Sequence, residues 1–201
     1  MINGLDLFSG IGGITLALSE WVRPVAYCEN DRYAQSVLLS RMRDGSLPRA
    51  PIWDDVTSLR GSMLPSGIDI IYGGFPCQDI SVAGNGKGMA GERSGLYWEI
   101  ERLIRECSPR FVFLENVSAI RTRGLNVVIQ SLHELGFDCR WDILSAREVG
   151  ASFEGDRFFL AAANRETLRV EQGWRSGRSW EGSPFNLATC DLGLAPWSPE
   201  R

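Results

Sequence analysis

The stretch LDLFSGIGGITLALSEW, Leu5 to Trp21, passes from a short apolar run through a glycine-rich turn into helically spaced aliphatic residues. An apolar run of that length bounded by glycines reads as a buried strand, and the aliphatic segment after the turn as a helix, so this is the opening of an α/β unit. The alternation then repeats. PVAYCE (Pro24 to Glu29) reads as a strand, and DRYAQSVLLSRM (Asp31 to Met42) as a helix capped by Asp31. IDIIYGG (Ile68 to Gly74) is a strand, LYWEIERLIREC (Leu96 to Cys107) a helix, RFVFLEN (Arg110 to Asn116) a strand, and LNVVIQSLHELG (Leu125 to Gly136) a helix. CRWDILSA and DRFFLAAA, separated by REVGASFEG, close the series as an antiparallel hairpin. The expectation is a doubly wound, mostly parallel sheet with a C-terminal antiparallel hairpin. Residues 1–163 form the folded domain in this reading, and 164–201 an irregular tail of Trp, Gly, Ser and Pro in which five arginines are matched by five acids.

Composition narrows the function. At 201 residues, 44% hydrophobic and 23% charged, the chain suits one globular domain, and it has no apolar run of membrane-spanning length. Its beginning, MINGLDLFSG, has neither a basic leader nor a cleavable apolar core and reads as the first strand. Five scattered cysteines without a C-x-x-C pair fit neither a disulfide framework nor a zinc site, so a reducing compartment is expected and a metal is not. The single histidine, His133, falls on helical spacing as an ordinary helix residue, which disfavours His-dependent hydrolysis. A formal charge of -4 excludes a generally basic surface, so nucleic-acid contact would come from a local patch or a partner.

Ligands of open α/β sheets bind at the carboxyl ends of the strands, so the residues just after each strand carry the chemistry. After the first come Gly10, Gly12 and Gly13, which allow a tight turn and close approach of a ligand. After the second comes Glu29, about twenty residues on; it reads either as an acceptor for a ribose diol or as an exposed helix-entry acid. Asp55 reads either as an acceptor for an exocyclic amine or as a cap of the next turn. GGFPCQDIS (Gly73 to Ser81) presents Cys77 behind Pro76, with Gln78 and Ser81 beside it. A buried cysteine is commonly an inert core thiol, and Cys77 reads so unless its turn exposes it as a nucleophile. The glycine-rich AGNGKGMAGERSG after it could close as a lid. The strand RFVFLEN ends in Glu115 and Asn116, where a partly desolvated carboxyl could hold a proton and donate it to a ring nitrogen.

Taken in order, DLFSGIGG, Glu29, Asp55, GGFPCQDIS, ENV and GASFEGDRFFLAA resemble the motifs of cytosine-C5 DNA methyltransferases over residues 3–163. The resemblance implies a Rossmann-like fold binding S-adenosylmethionine, with Phe8, Gly10, Gly12, Pro76 and Leu96 lining the cofactor, Glu29 on the ribose and Asp55 on the adenine amine. It implies that the Cys77 thiolate attacks C6 of a cytosine flipped from double-stranded DNA while Glu115 contacts N3. Asn116 would then orient the loop, Arg157 contact the base, and Gln78, Ser81 and Arg93 face the substrate. The setting it implies is a bacterial or phage-infected cytoplasm, as in restriction-modification.

Two departures stand beside the match. Phe153 and Gly155 occupy places where the family carries Gln or His and another Arg, and Glu154 puts an acid between them. The last 38 residues carry neither a target-recognition domain nor the closing Gly-Asn helix motif, so a second chain supplying recognition, or a minimal enzyme acting alone, is expected. A degenerate cofactor- or DNA-binding homologue and a nucleotide-binding regulatory module are the alternatives.

Overall fold

The computed structural model describes residues 1–76 and 95–167. Strand β1 (Ile2–Leu7) leads through the Phe8–Gly12 turn to helix α1 (Gly13–Ala17), and β2 (Val22–Cys28) leads to α2 (Arg32–Asp44). β3 (Ile52–Trp53) and β4 (Ile70–Gly74) come next, then α3 (Leu96–Cys107), β5 (Phe111–Val117), α4 (Ile120–Arg123), α5 (Leu125–Glu134), β6 (Phe137–Ser145) and β7 (Asp156–Asn164). These strands form one sheet in the order β3-β2-β1-β4-β5-β7-β6. Pairing is parallel from β3 to β5 and antiparallel where β7 inserts between β5 and β6.

The expected architecture is therefore the observed one, and α2 and α3 lie where periodicity put them. Asp31 caps α2 by accepting from the Ala34 N–H at 2.7 Å. Two details differ. The first helix ends at Ala17 rather than continuing to Trp21, and Gly13 is its first residue rather than part of the tight turn. The edge strand Ile52–Trp53 was not expected, because two residues behind Pro51 carry no periodicity to read.

The alternation of each strand splits the core between two faces. Leu5, Leu7, Ile71, Val112, Leu114, Phe158 and Leu160 pack under Tyr97, Ile100 and Leu103 of α3 and Val128 and Leu132 of α5. The other face holds Leu18, Val22, Ile70 and Tyr72, and α2 packs Leu38 and Met42 on Tyr27. Covering both faces is what makes a largely parallel sheet stable, since its strands bury both sides.

On the α1 face, burial reaches a carboxyl. Asp6 is buried, and its Oδ2 accepts from the Thr15 hydroxyl at 2.6 Å; the Thr15 oxygen lies 2.8 Å from the Tyr72 hydroxyl. Among the described residues Asp6 Oδ1 has no hydrogen-bond partner. Burial, with a smaller contribution from the Glu29 charge, pushes its pKa up to about 7 against the pull of Thr15 and Ser9. The native state therefore holds a proton that the unfolded chain has released above pH ~4. That contribution is complete below the unfolded value and is lost as pH rises through about 7. Relative to Asp6→Asn, wild type should lose up to roughly 4 kcal/mol between pH 4 and 8. Parallel urea-unfolding curves for the two proteins across that range would refute the assignment.

Candidate active site

The sheet order reverses between β1 and β4, and the carboxyl ends of these strands and their neighbours carry the candidate residues. At the first turn Phe8 and Gly10 have positive φ (54° and 52°), as has Gly12 at 83°. A side chain at Gly12 would also place its Cβ 2.4 Å from Leu47 Cδ1, so both conformation and space require glycine there. Phe8 accepts the left-handed conformation and packs its ring against the core.

Glu29, just past the end of β2, is buried, and both of its oxygens are held by backbone. Oε2 accepts from the Gly10 N–H at 2.7 Å and Oε1 from the Asp31 N–H at 2.8 Å. It is not an exposed helix-entry acid. The carboxylate ties the glycine turn to the start of α2, and each oxygen keeps a further lone pair for a ligand. Gln35 fixes the same strand end, its Nε2 donating to the Glu29 carbonyl at 2.6 Å. Beside it opens a polar cleft of about 500 Å³ lined by Asn30, Arg32, Gln35, Asp54 and Asp55. Asp55 caps its own turn: Oδ1 accepts from the Thr57 N–H at 2.8 Å and the Thr57 hydroxyl at 2.7 Å, which holds its carboxyl below the usual range. The cap that sequence left open is formed, and the residue still lines the cleft.

Pro76 is exposed just past β4, and Leu96 is the first residue of α3, packed on the main core. Cys77, Gln78, Ser81 and Arg93, like the tail from 168, lie outside the described residues. The chain immediately before Cys77 is held nonetheless. Asn116, buried at the end of β5, donates from Nδ2 to the Phe75 carbonyl at 2.8 Å, and its Oδ1 accepts from the Val117 N–H at 2.8 Å. It bridges strand ends rather than pointing at solvent.

Glu115 lies one residue earlier and faces the opposite side of the sheet. Its side chain is 25% exposed, and Oε1 forms an ion pair with Arg157 Nε at 3.0 Å. Register explains the meeting: Val117 pairs with Arg157 and Glu115 with Phe159 across β5 and β7, so all four share one face. Burial raises the Glu115 pKa above the usual carboxylate value, and the Arg157 charge opposes it. Gly74, opposite Glu115 on β4, leaves room for the carboxyl, since a Cβ there would sit 2.6 Å from Oε2. The spacing of the sequence did not disclose this Glu–Arg pair, because it depends on antiparallel register.

The described cysteines are not competing nucleophiles. Burial and nearby carboxylates push Cys28 up to about 12, burial and Asp138 do the same for Cys139, and Cys107 is raised as well. His133 holds Arg165 through Nδ1 at 2.6 Å, at the far end of the hairpin from Arg157.

A sequence profile described as C-5 cytosine-specific DNA methylase matches residues 2–184. The chain belongs to that family. Among its curated relatives, the type II methyltransferase M.CviJI of Paramecium bursaria Chlorella virus IL3A is 36% identical over 163 residues, covering 81% of this chain and 43% of the relative. The type II methyltransferase M.HhaI of Haemophilus parahaemolyticus is 34% identical over 161 residues, 78% of this chain and 47% of its own. The chain thus spans about half the length of the curated relatives it matches. In fold it is similar to a DNMT2 variant from Spodoptera frugiperda, with TM-score 0.64, 20% identity, and coverage of 82% of this chain and 50% of that one. It is likewise similar to a prophage-encoded DNA modification methyltransferase from E. coli, described as putative, with TM-score 0.61, 24% identity, and coverage of 84% and 48%.

Proposed function

We propose that this chain transfers a methyl group from S-adenosylmethionine to C5 of cytosine in double-stranded DNA. The observation that carries the reading is the Glu115–Arg157 pair at the strand ends, beside Gly74 of the strand that precedes Cys77 in the sequence. The cofactor site fits the group: Phe8, Gly10 and Gly12 form a left-handed turn with open space over Gly10, Glu29 faces it with spare acceptor capacity, and the cleft at Asp54 and Asp55 suits an adenine. S-adenosylmethionine supplies an electrophilic methyl group when bound.

The protein's part is to make C5 of cytosine nucleophilic. The Cys77 thiolate forms a bond to C6 of the extruded base while Glu115 gives its proton to N3, so the ring electrons gather at C5. Arg157 orients the Glu115 carboxyl and balances the negative charge left on it after transfer. Once C5 carries the methyl group and S-adenosylhomocysteine has left, a base in solvent removes the C5 proton, the C6–S bond breaks to return the thiolate to Cys77, and N3 returns its proton to Glu115, leaving 5-methylcytosine. Asn116 positions the chain before Cys77 through Phe75. Gln78, Ser81 and Arg93 face the substrate in this reading, Pro76 and Leu96 border the cofactor, residues 1–163 are the catalytic domain, and 164–201 are an appended tail. A second chain supplying target recognition, and action in a bacterial or phage-infected cytoplasm, belong to the same proposal. No helix among the described residues is long and apolar enough to cross a membrane.

The test is covalent capture on duplex DNA containing 5-fluorocytosine, with S-adenosylmethionine present. Wild type should give a denaturation-resistant adduct and Cys77→Ser none. Equal trapping by both proteins would exclude Cys77, and absence of an adduct with wild type, alone or with a recognition chain added, would exclude the reaction.

A further inference from the structure

The loop between β6 and β7 is built as a firm support. Ser145 and Glu148 form a reciprocal cap, the Ala146 N–H donates to the Gly155 carbonyl at 3.1 Å, the Ala151 N–H donates to the Ala146 carbonyl at 3.0 Å, and Arg147 pairs with Glu154 at 3.1 Å. On this frame Phe153 is 64% exposed and Val149, on the same loop, 76%, so two large apolar side chains stand on one short loop. Gly155 lies beneath it: a methyl group added there would touch ring carbons Cε2 and Cδ2 at 3.4 and 3.6 Å. The ring therefore rests on backbone rather than on the core.

Its position gives the exposure meaning. Gly155 is two residues from Arg157, and the register row through Arg157 holds Val117 on β5 and Leu144 on β6, themselves 42% and 43% exposed. An apolar rim thus borders the acid–guanidinium pair. An aromatic ring beside groups suited to hold a pyrimidine edge matches a nucleobase, which offers a flat π face to stack and needs no added charge. Arg147 and Glu154, the charged pair that braces the loop, neutralise each other, so stacking rather than phosphate attraction is what this surface offers.

We propose that Phe153 is a substrate-binding residue that stacks on a nucleobase of the DNA next to the extruded cytosine. This inference rests on the methyltransferase reading above. A contact of this kind does not depend on salt, unlike the arginine that the resemblance would place at Gly155.

The experiment is fluorescence anisotropy of the full chain on a fluorescein-labelled mixed-sequence duplex, with cytosine in every dinucleotide context, for wild type, Phe153→Ala, Phe153→Leu and Phe153→Trp. Phe153→Ala and Phe153→Leu should weaken binding roughly 10-fold and Phe153→Trp should restore it. The slope of affinity against salt should stay unchanged, as should Tm and S-adenosylmethionine affinity. Equal affinity of wild type and Phe153→Ala, or full rescue by Phe153→Leu, overturns stacking while wild-type methyl transfer keeps the reaction intact. A change in oligomeric mass with no change in DNA affinity would assign the ring to protein docking and also overturn it. No DNA binding and no transfer by wild type would remove both proposals together.

Discussion

Glu115→Gln should lower methyl transfer by about 10³-fold, the loss expected when a positioned proton donor is replaced by an isosteric amide. The amide fills the same space between Gly74 and Arg157 but has no acidic proton to give to the ring. Because burial raises the pKa of this carboxyl, its protonated form persists further toward neutrality than that of an ordinary glutamate, and the Arg157 charge limits how far. Raising the pH through that value should therefore slow wild type and leave the residual rate of Glu115→Gln flat. Isothermal titration should give both proteins the same affinity for S-adenosylmethionine, since Glu29 and the glycine turn lie at the ends of other strands. A kcat within about threefold of wild type would remove Glu115 from the chemistry.

The second large effect comes from a residue with no side chain. In Gly74→Ala the new methyl would stand 2.6 Å from Glu115 Oε2, closer than nonbonded atoms tolerate. The backbone there is ordinary strand, so alanine costs little in conformation, and reduced freedom of the unfolded chain offsets part of that cost. The flexible carboxyl is what must yield. Its displacement by about 1 Å breaks the 3.0 Å approach to Arg157 and should cost roughly 10²-fold in kcat. Thermal unfolding and cofactor affinity should stay near wild type. Crystallography of the variant should find Glu115 turned away from Gly74; an unmoved carboxyl with normal turnover would contradict the steric argument.

Much of this was legible in the chain because local signals and the final fold agree. The periodic run LYWEIERLIREC became α3 with its expected ends, and the REVGASFEG spacer closed the predicted hairpin. Local signals did not reach the pairings made by register. Arg157 sits 42 residues from Glu115 in sequence, and only the placement of β7 beside β5 brings them together. The same holds for Asp6, whose strand pattern announces burial but not its contact with Thr15 or the nearby Tyr72. β3 was missed because two residues give no alternation, and α1 was read too long because the leucine after Ala17 continues a helical spacing that the backbone leaves. Asp55 shows a limit of another kind: one side chain fits both a turn cap and a ligand acceptor, and the fold uses it as the cap while leaving it at the cleft.

The 2.8 Å bond from Asn116 to the Phe75 carbonyl makes two neighbouring strands share a bracket. The acid hangs from one arm and the chain leading to the thiol from the other, so thermal drift of the rim carries both in the same direction. Their separation is thereby insulated from breathing of the outer hairpin. On warming, turnover should therefore fall first where the hairpin carries Arg157 away from Glu115, while the acid and the chain before the thiol still move together.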